Sequence, residues 1–321
     1  MNQKKIILFL SMSAIATLIF GELFARYILG LGDPPLSISH PKIEYMYKPN
    51  QDVSRFGNHI FINQYGMRSQ NFPRKRKSLD ETRIMIFGDS VINGGNLTDH
   101  QDLATTIVQN ELSKSLTQPV VVGNISAGSW GPGNWLAYAK EYGFFQADII
   151  ILVISSHDWS DNPSFKPLNP TTHPQSKPIF ALQEGVTRYL PRYLPDVPEL
   201  NTGEKVETKE KPLSDSKQEQ GLRDLKVFLK MAQQNSQRVI VFQHLELSEL
   251  KSGKLKEGYH KISSLCQELG IKNISLEPYF KKAMQKDNLY RDFIHPNEQG
   301  QKILAQRILK ELKTLSLYGN Q

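Results

Sequence analysis

The sequence is almost free of cysteine, with Cys266 as the single one among 321 residues. One thiol excludes an intrachain disulfide and any metal site built from several thiolates. Cys266 lies in the amphipathic stretch 262–269, where the usual role of a free cysteine is that of a small buried side chain. The fold must therefore depend on an apolar core, for which the chain is long enough.

Signatures of nucleic-acid binding are also missing, although the formal net charge is +7. The positive charges are scattered except for Arg-Lys-Arg-Lys at residues 74–77. Such a run is typical of a solvated surface, and contact with an anionic lipid or polymer is the alternative. Without a zinc module or a stacking-aromatic motif, we expect no nucleic-acid partner.

The N-terminus contains a long uncharged run. Two lysines precede residues 6–20, which carry no charge, and apolar character resumes over residues 23–29. A helix over both stretches is long enough to cross a bilayer, and the positive-inside rule places the rest of the chain outside the cytoplasm. We expect an uncleaved single-pass anchor over residues 1–31 in the inner or plasma membrane. A cleaved signal peptide is the alternative, although no clear small-x-small cleavage site comes after the apolar run.

Residues 32–80 differ in composition from the rest of the chain and are rich in proline, glycine, asparagine and aromatic residues. Asp33-Pro34-Pro35 would stop the helix just outside the membrane. Residues 59–68 have the pattern of a short strand and turn. We expect this juxtamembrane segment to pack against the main domain.

From residue 81 to residue 315 strand patterns alternate with helix patterns. Such alternation predicts an α/β domain with a mostly parallel, five-stranded sheet and helices on both sides. The strand-like runs are residues 83–87, 119–123, 148–154, 238–242 and 272–276, and the helical patterns are residues 103–116, 135–145, 222–232, 259–269 and 302–315.

One long stretch, residues 160–216, interrupts this alternation. It contains nine prolines and then a patch rich in lysine and glutamate. Long segments with little periodicity are either functional loops or disordered linkers. Because this insertion begins just after the carboxyl end of a strand, we interpret it as a lid or substrate groove, with a disordered linker as the alternative.

Ser90 follows the first strand of the domain, just past its carboxyl end. Ligands of parallel α/β sheets bind beyond this edge, so Ser90 is a candidate nucleophile. A hydroxyl nucleophile needs a base and a group that orients the base. Asp292 and His295, three residues apart before the last helix, could supply both. The alternative is that Ser90 and His295 only serve a turn or a helix cap.

Acyl transfer also needs hydrogen-bond donors for the developing oxyanion, each worth about 3 kcal/mol of barrier. The backbone N–H of Ser90 is one candidate. Gly128, after the second strand, is another, because glycine lets the backbone approach a substrate closely. The alternative for Gly128 is a simple turn glycine.

Together these blocks resemble the SGNH/GDSL hydrolase superfamily. The Gly-Asp-Ser ending at Ser90 matches the family's first block, Gly128 the second, and the Asp-x-x-His from Asp292 to His295 the last. The resemblance covers residues 81–312. It implies a flavodoxin-like three-layer fold with Ser90 as nucleophile, His295 as base, Asp292 as its orienter and Gly128 as an oxyanion-hole donor. We expect no cofactor and no metal.

The third block departs from the family pattern Gly-x-Asn-Asp, because this chain has Ser155-Ser156-His157-Asp158. His157 can replace the asparagine as a donor through a ring N–H. Otherwise this corner has lost its donor and activity is weak. A metal site of His157, Asp158 and Asp161 is a further alternative. A Gly-x-Ser-x-Gly elbow is absent at Ser90, which argues against an ordinary α/β-hydrolase.

The resemblance and the anchor together predict a periplasmic or otherwise extracytoplasmic enzyme. Carbohydrate esterases and O-acetyltransferases of the family have this layout, so we expect action on O-acetyl groups of a cell-surface or exported polysaccharide. A membrane-bound acyl-donor partner would suit transfer. The alternatives are a lipid or small-ester esterase of the lysophospholipase type, and a non-catalytic glycan-binding or assembly protein that retains the fold.

Overall fold

The structure is a computed structural model that describes residues 3–190 and 215–315. In chain order, its helices and strands are α1 (Gln3–Tyr27), β1 (Ser37–His40), β2 (Glu44–Tyr47), β3 (Gln51–Arg55), β4 (Asn58–Ile62), β5 (Thr82–Gly88), α2 (Ser90–Asn93), α3 (Ala104–Ser115), β6 (Val120–Ser126), α4 (Pro132–Tyr142), β7 (Ile149–Ser155), α5 (Ala181–Glu184), α6 (Asp215–Asn235), β8 (Arg238–His244), α7 (Leu247–Ser252), α8 (Glu257–Glu268), β9 (Lys272–Ser275), α9 (Glu277–Ala283) and α10 (Glu298–Lys313).

The centre of the domain is a five-stranded sheet in the order β6-β5-β7-β8-β9. All four strand pairs are parallel. This is the strand order of flavodoxin-like folds. β5 and β7 are buried along their whole length, because continuous apolar strands suit a sheet that is covered on both faces. The predicted α/β fold with a parallel five-stranded sheet is confirmed.

Two apolar clusters flank the sheet and make the three layers. In β5, Ile84 and Ile86 belong to the cluster that holds residues of α3, α9 and α10. Met85 and Phe87 belong to the other, which holds residues of α4, α6 and α8. Neighbouring side chains of one strand point to opposite faces, so one short apolar run supplies both halves of the core.

Two antiparallel hairpins, β1–β2 and β3–β4, precede the sheet. Ile43, Tyr45 and Met46 of the first hairpin region join the same buried cluster as Trp130 and Tyr138. Sequence analysis indicated only one strand in this segment. The predicted domain boundaries stay a prediction.

The N-terminal helix α1 is long and apolar enough to cross a membrane by length and composition. The described part of the predicted insertion holds α5 and an irregular stretch before it, and α6 begins within its predicted end, at Asp215. Residues 191–214, the middle of that prediction, lie outside the described residues. The assignment of the insertion as a lid or a linker stays a prediction.

Candidate active site

Ser90 stands at the tight turn between β5 and α2. Asp89 caps α2, since its Oδ1 accepts a hydrogen bond from the backbone N–H of Val91 at 2.9 Å. Gly88 is needed here, because a Cβ would lie 2.7 Å from Ile92 Cγ2 and 2.8 Å from the carbonyl oxygen of Val153. The turn therefore delivers the Ser90 hydroxyl to the carboxyl edge of the sheet.

The structure brings the three predicted triad residues together from opposite ends of the domain. His295 Nε2 lies 2.9 Å from Ser90 Oγ, and His295 Nδ1 lies 2.7 Å from Asp292 Oδ2. Asp292 and His295 belong to the loop between α9 and α10. A hydrogen-bonded chain of hydroxyl, imidazole and carboxylate is the arrangement that activates a serine for acyl transfer.

The Asp292 carboxylate is held in place by its own loop. Its Oδ1 accepts hydrogen bonds from the backbone N–H groups of Ile294, at 2.9 Å, and His295, at 2.8 Å. Burial raises the pKa of Asp292, but these backbone bonds and the imidazole outweigh it and lower the pKa below its usual range. An ionised Asp292 favours a proton on His295 Nδ1, which leaves Nε2 free to accept the Ser90 proton.

Arg291 links this loop to the segment after Ser90, a contact that sequence reasoning missed. Its Nη2 lies 3.0 Å from each of three oxygens: the carbonyls of Gly94 and Pro296 and the Thr98 hydroxyl. Gly94 caps the helix that begins at Ser90, and Pro296 follows His295. We therefore interpret Arg291 as a positioning residue for the Ser90–His295 pair.

His244, the last residue of β8, also contacts the loop that carries Asp292 and His295. Sequence reasoning missed this residue as well. It is fully buried, and its Nε2 lies 2.8 Å from the carbonyl oxygen of Ile294. Burial lowers the pKa of His244 to about 4, so the ring is neutral at pH 7. Nε2 must then carry the proton in order to donate to that carbonyl. The available signal was a histidine two residues past the predicted strand 238–242, much as Ser90 follows the predicted strand 83–87.

Within residues 3–190 and 215–315, the two predicted backbone donors for an oxyanion have no hydrogen-bond acceptor. No described residue accepts a hydrogen bond from the N–H of Ser90 or of Gly128. They follow neighbouring strands, with Gly88 paired to Ser126 across β5 and β6. The Tyr45 hydroxyl donates to the Gly128 carbonyl oxygen and so fixes this peptide. The role of Gly128 as an oxyanion donor stays a prediction.

His157 follows β7 and faces carboxylates with both ring nitrogens. Nε2 lies 3.0 Å from Asp158 Oδ1, and Nδ1 lies 3.8 Å from Glu246 Oε1. Among the described residues, one group has the spacing of metal ligands, namely Asp89, His157 and Asp158, whose ligand atoms lie within 4.8 Å of one another. Asp161, named above as a possible third ligand, is not in this group. His157 as an oxyanion donor, and the expected lack of a metal, stay predictions.

Two carboxyls in this corner are buried side by side. Burial, followed by the charge of Asp158, raises the pKa of Asp89 to about 7. Burial also raises the pKa of Asp158 well above its usual range, against the hydrogen bond from the Ser155 N–H. Two neighbouring carboxyls without full solvation do not ionise together. This corner therefore retains a proton close to neutral pH.

The comparisons with known proteins give structural matches only. No protein-family model matches the chain, and no curated protein matches its sequence. A lipolytic G-D-S-L family protein from Veillonella parvula is 14% identical with a TM-score of 0.45, over 73% of this chain and 100% of that one. An acetyl xylan esterase variant from Geobacillus stearothermophilus is 14% identical with a TM-score of 0.45, over 72% and 94%. A two-domain esterase active on acetylated mannans is 12% identical with a TM-score of 0.47, over 74% and 51%.

Identities and TM-scores this low do not transfer an activity, so the chemistry has to come from this chain's own side chains. The flavodoxin-like fold that the resemblance implies is confirmed, because the parallel strands have the order β6-β5-β7-β8-β9. Ser90, Gly128 and the pair Asp292 and His295, which carry the first, second and last blocks, all lie at the carboxyl edge of that sheet.

Proposed function

We propose that this protein is an SGNH-type serine esterase or O-acyltransferase that works through an acyl-enzyme on Ser90. The observation that carries the proposal is the unbroken chain of hydrogen bonds from Ser90 through His295 to Asp292, at 2.9 and 2.7 Å. Ser90 Oγ attacks the ester carbonyl and passes its proton to His295 Nε2, which returns it to the leaving alcohol. Water or a second hydroxyl then attacks the acyl-enzyme and regenerates Ser90.

We further propose O-acetyl groups of a cell-surface or exported polysaccharide as the substrate. The loop that carries Asp292 and His295 is accessible, since Phe293, which lies between them in the sequence, is 65% exposed. An exposed aromatic ring offers a surface on which the apolar side of a sugar ring can pack. A cavity of about 120 Å³ beside Gly128 is lined in part by Tyr45, Tyr47 and His173. Gly128 lines this cavity but none of the triad residues does, so it offers room for the part of the substrate next to the ester.

The location that fits this substrate is the outer side of the inner or plasma membrane, with α1 as a single-pass anchor. α1 has a mean hydropathy of 2.1 over its 18-residue window, and none of that window is buried in the protein. A helix with apolar side chains on all sides is suited to lipid. A tethered catalyst would meet polysaccharide as it leaves the membrane, and a membrane-bound acyl donor could reach it there.

The test is covalent labelling of Ser90 with a fluorophosphonate probe, together with hydrolysis of an acetyl ester. Ser90→Ala and His295→Ala should each abolish hydrolysis while the protein stays folded, because triad members act as a unit. Ser252→Ala, an exposed serine at the end of α7, is the matched control and should react like the wild type.

Equal hydrolysis by the wild type and both triad variants would remove the enzyme proposal. If a folded Ser90→Ala protein also preserved the cellular phenotype, the non-catalytic glycan-binding alternative would replace it. Adding an acceptor glycan to the same assay separates transfer from hydrolysis.

A further inference from the structure

The insertion is attached directly to the end of the N-terminal helix. The Glu22 carboxylate accepts hydrogen bonds from the backbone N–H groups of Ala181, at 2.9 Å, and Leu182, at 3.0 Å. It also accepts one from Arg26 Nη2 at 2.8 Å. A Cβ on Gly21 would lie 3.3 Å from Leu182, so the two helices touch closely at this glycine. The first turn of α5 is therefore fixed to the last third of α1.

A buried ionic cluster fixes the other end of α5. The side chain of Glu184 is 1% exposed and that of Arg55 is 0% exposed. Glu184 accepts hydrogen bonds from Arg55 Nη1 at 2.9 Å, from the Gly32 N–H at 2.7 Å and from Arg188 Nη1 at 2.5 Å. Separating a buried pair leaves an uncompensated charge, so this cluster holds the three segments together. α1, the β3–β4 hairpin and the insertion thus form one rigid junction.

Large apolar side chains are exposed around this junction. Ile179 is 78% exposed, Phe180 58% and Val186 56%, beside Tyr27 at 76% on the end of α1. Single exposed apolar residues are ordinary, but a group of them marks an interaction surface. Val186 lies one turn after Leu182, so it continues the side of the insertion that faces α1.

The height of this surface along α1 is close to a membrane boundary. Glu22 is sixteen residues beyond the start of the uncharged run at residue 6, which is about 24 Å along a helix, so it lies about 6 Å inside the far side of a hydrocarbon core of about 30 Å. Glu22 has three donors within 3.0 Å, as a carboxylate at the lipid boundary requires. Ile179 and Phe180 come directly before Ala181, which donates to Glu22, so their backbone lies within about 7 Å of that contact.

We propose that residues 179–186 rest in the outer surface of the lipid bilayer, with Ile179, Phe180 and Val186 among the headgroups beside the anchor. The inference relies on the proposed membrane anchor and names a second membrane contact in the catalytic domain. Lipid is the occupant because the apolar surface is continuous with α1, whose own exposed side chains already need lipid. Interfacial contacts of this kind reach about 5–10 Å into the boundary between headgroups and acyl chains.

This contact would orient the active site. A cavity of about 510 Å³ is lined by Ile179 and Arg188, among others, and the smaller cavity beside Gly128 shares Pro34, Pro174 and Arg188 with it. The wall between the two cavities therefore belongs to the junction that the bilayer would hold. Substrate reaching Gly128 from this side would come from the membrane surface.

The test places a tryptophan at three heights in the full chain, reconstituted in nanodiscs of phosphatidylcholine with or without brominated acyl chains. Phe180→Trp tests the inference, Ile15→Trp in the middle of α1 tests the anchor, and Leu79→Trp, at a side chain that is 93% exposed, is the soluble control. The native tryptophans, Trp130, Trp135 and Trp159, are at most 8% exposed, so they give a background that lipid does not reach.

Brominated lipid should remove roughly half or more of the emission that Phe180→Trp and Ile15→Trp add to the wild type, since both would lie within reach of the bromine atoms. Leu79→Trp should keep its emission in lipid and lose it to iodide in water. If brominated lipid quenches Ile15→Trp but leaves the emission of Phe180→Trp unchanged, as for Leu79→Trp, the inference is overturned and the anchor is left intact. No lipid quenching at any of the three positions would overturn both.

Discussion

Removing the guanidinium of Arg291 should slow the reaction of Ser90 although Arg291 does not touch the triad side chains. In the wild type, one nitrogen of Arg291 joins the Gly94 carbonyl, the Thr98 hydroxyl and the Pro296 carbonyl at 3.0 Å each. Arg291→Ala leaves two segments free to move apart, one starting at Ser90 and one ending after His295. The hydrogen bond between them, at 2.9 Å, has little tolerance for such movement.

The expected loss can be estimated from these contacts. Hydrogen bonds to a charged donor contribute about 1.5–3 kcal/mol each, and water replaces part of them at this half-buried place. A misplacement of about 1 Å between reacting groups costs about 100-fold in rate. We therefore expect Arg291→Ala to lower the second-order rate constant of Ser90 labelling about 10- to 100-fold, or about 1.4–2.7 kcal/mol of barrier.

The assay is the second-order rate constant of Ser90 with a fluorophosphonate, measured on folded protein. Guanidinium chloride at millimolar concentration, far below denaturing levels, should restore part of the rate in Arg291→Ala by filling the vacated site. Arg307→Ala is the matched control, because Arg307 is also a half-buried arginine but lies on α10 against Tyr279 and Glu311. It should lose stability and keep the rate.

Two results would refute this reasoning. Arg291→Ala could label at the wild-type rate while melting at a lower temperature, which would make Arg291 a purely structural residue. Alternatively, guanidinium could have the same effect on Arg291→Ala and on Arg307→Ala, which would show that no specific site was refilled.

Two further predictions concern the corner where His157 of the third block lies beside Asp89 of the first block. His157→Asn should keep or raise esterase activity, because an amide N–H supplies the donor of the family pattern; complete loss of activity in a folded variant would assign His157 another role. Asp89→Asn should raise stability more at pH 8 than at pH 5. Asp89 has a pKa of about 7 in the folded protein, so the folded state binds more protons than the unfolded one between about pH 4 and pH 7. Stability therefore falls as pH rises through that window, by up to about 4 kcal/mol for three pKa units, and asparagine removes this loss. Equal shifts of Tm at both pH values would contradict the prediction.

The central sheet could be predicted because its strands are continuous apolar runs. The β3–β4 hairpin could not, for a physical reason. Its two-residue turn is Phe56-Gly57, with positive φ at both positions, 50° and 78°. Hairpin turns of this kind normally carry asparagine, aspartate or glycine, and a phenylalanine at positive φ gives no recognisable signal. Phe56 adopts it here with its ring against the guanidinium of Arg55, which is itself held by the buried ion pair with Glu184.

The same distinction applies to the site. Ser90 and His295 carry local signals, a strand end and a helix start, and these were enough to select them. Arg291 contacts a carbonyl 197 residues away, and His244 contacts one 50 residues away. Contacts between residues so far apart in the chain depend on the order of the strands in the sheet. That order cannot be predicted from a single sequence. Sequence therefore indicated Ser90, Asp292 and His295, which the structure brings together, and missed Arg291 and His244, which contact the same loop.

The exposure of the triad bears on the choice between hydrolysis and transfer. The side chain of Asp292 is 45% exposed and that of His295 is 33% exposed, so the described part of the chain does not shield an acyl-enzyme on Ser90 from water. Transfer requires that the acceptor hydroxyl arrive before water, which a closed pocket achieves by excluding water. Here the acceptor itself would have to do so, by covering the open triad. A polymer lying across Phe293 can cover the triad and a small alcohol cannot. We therefore expect the acyl-enzyme to be hydrolysed whenever the glycan is absent.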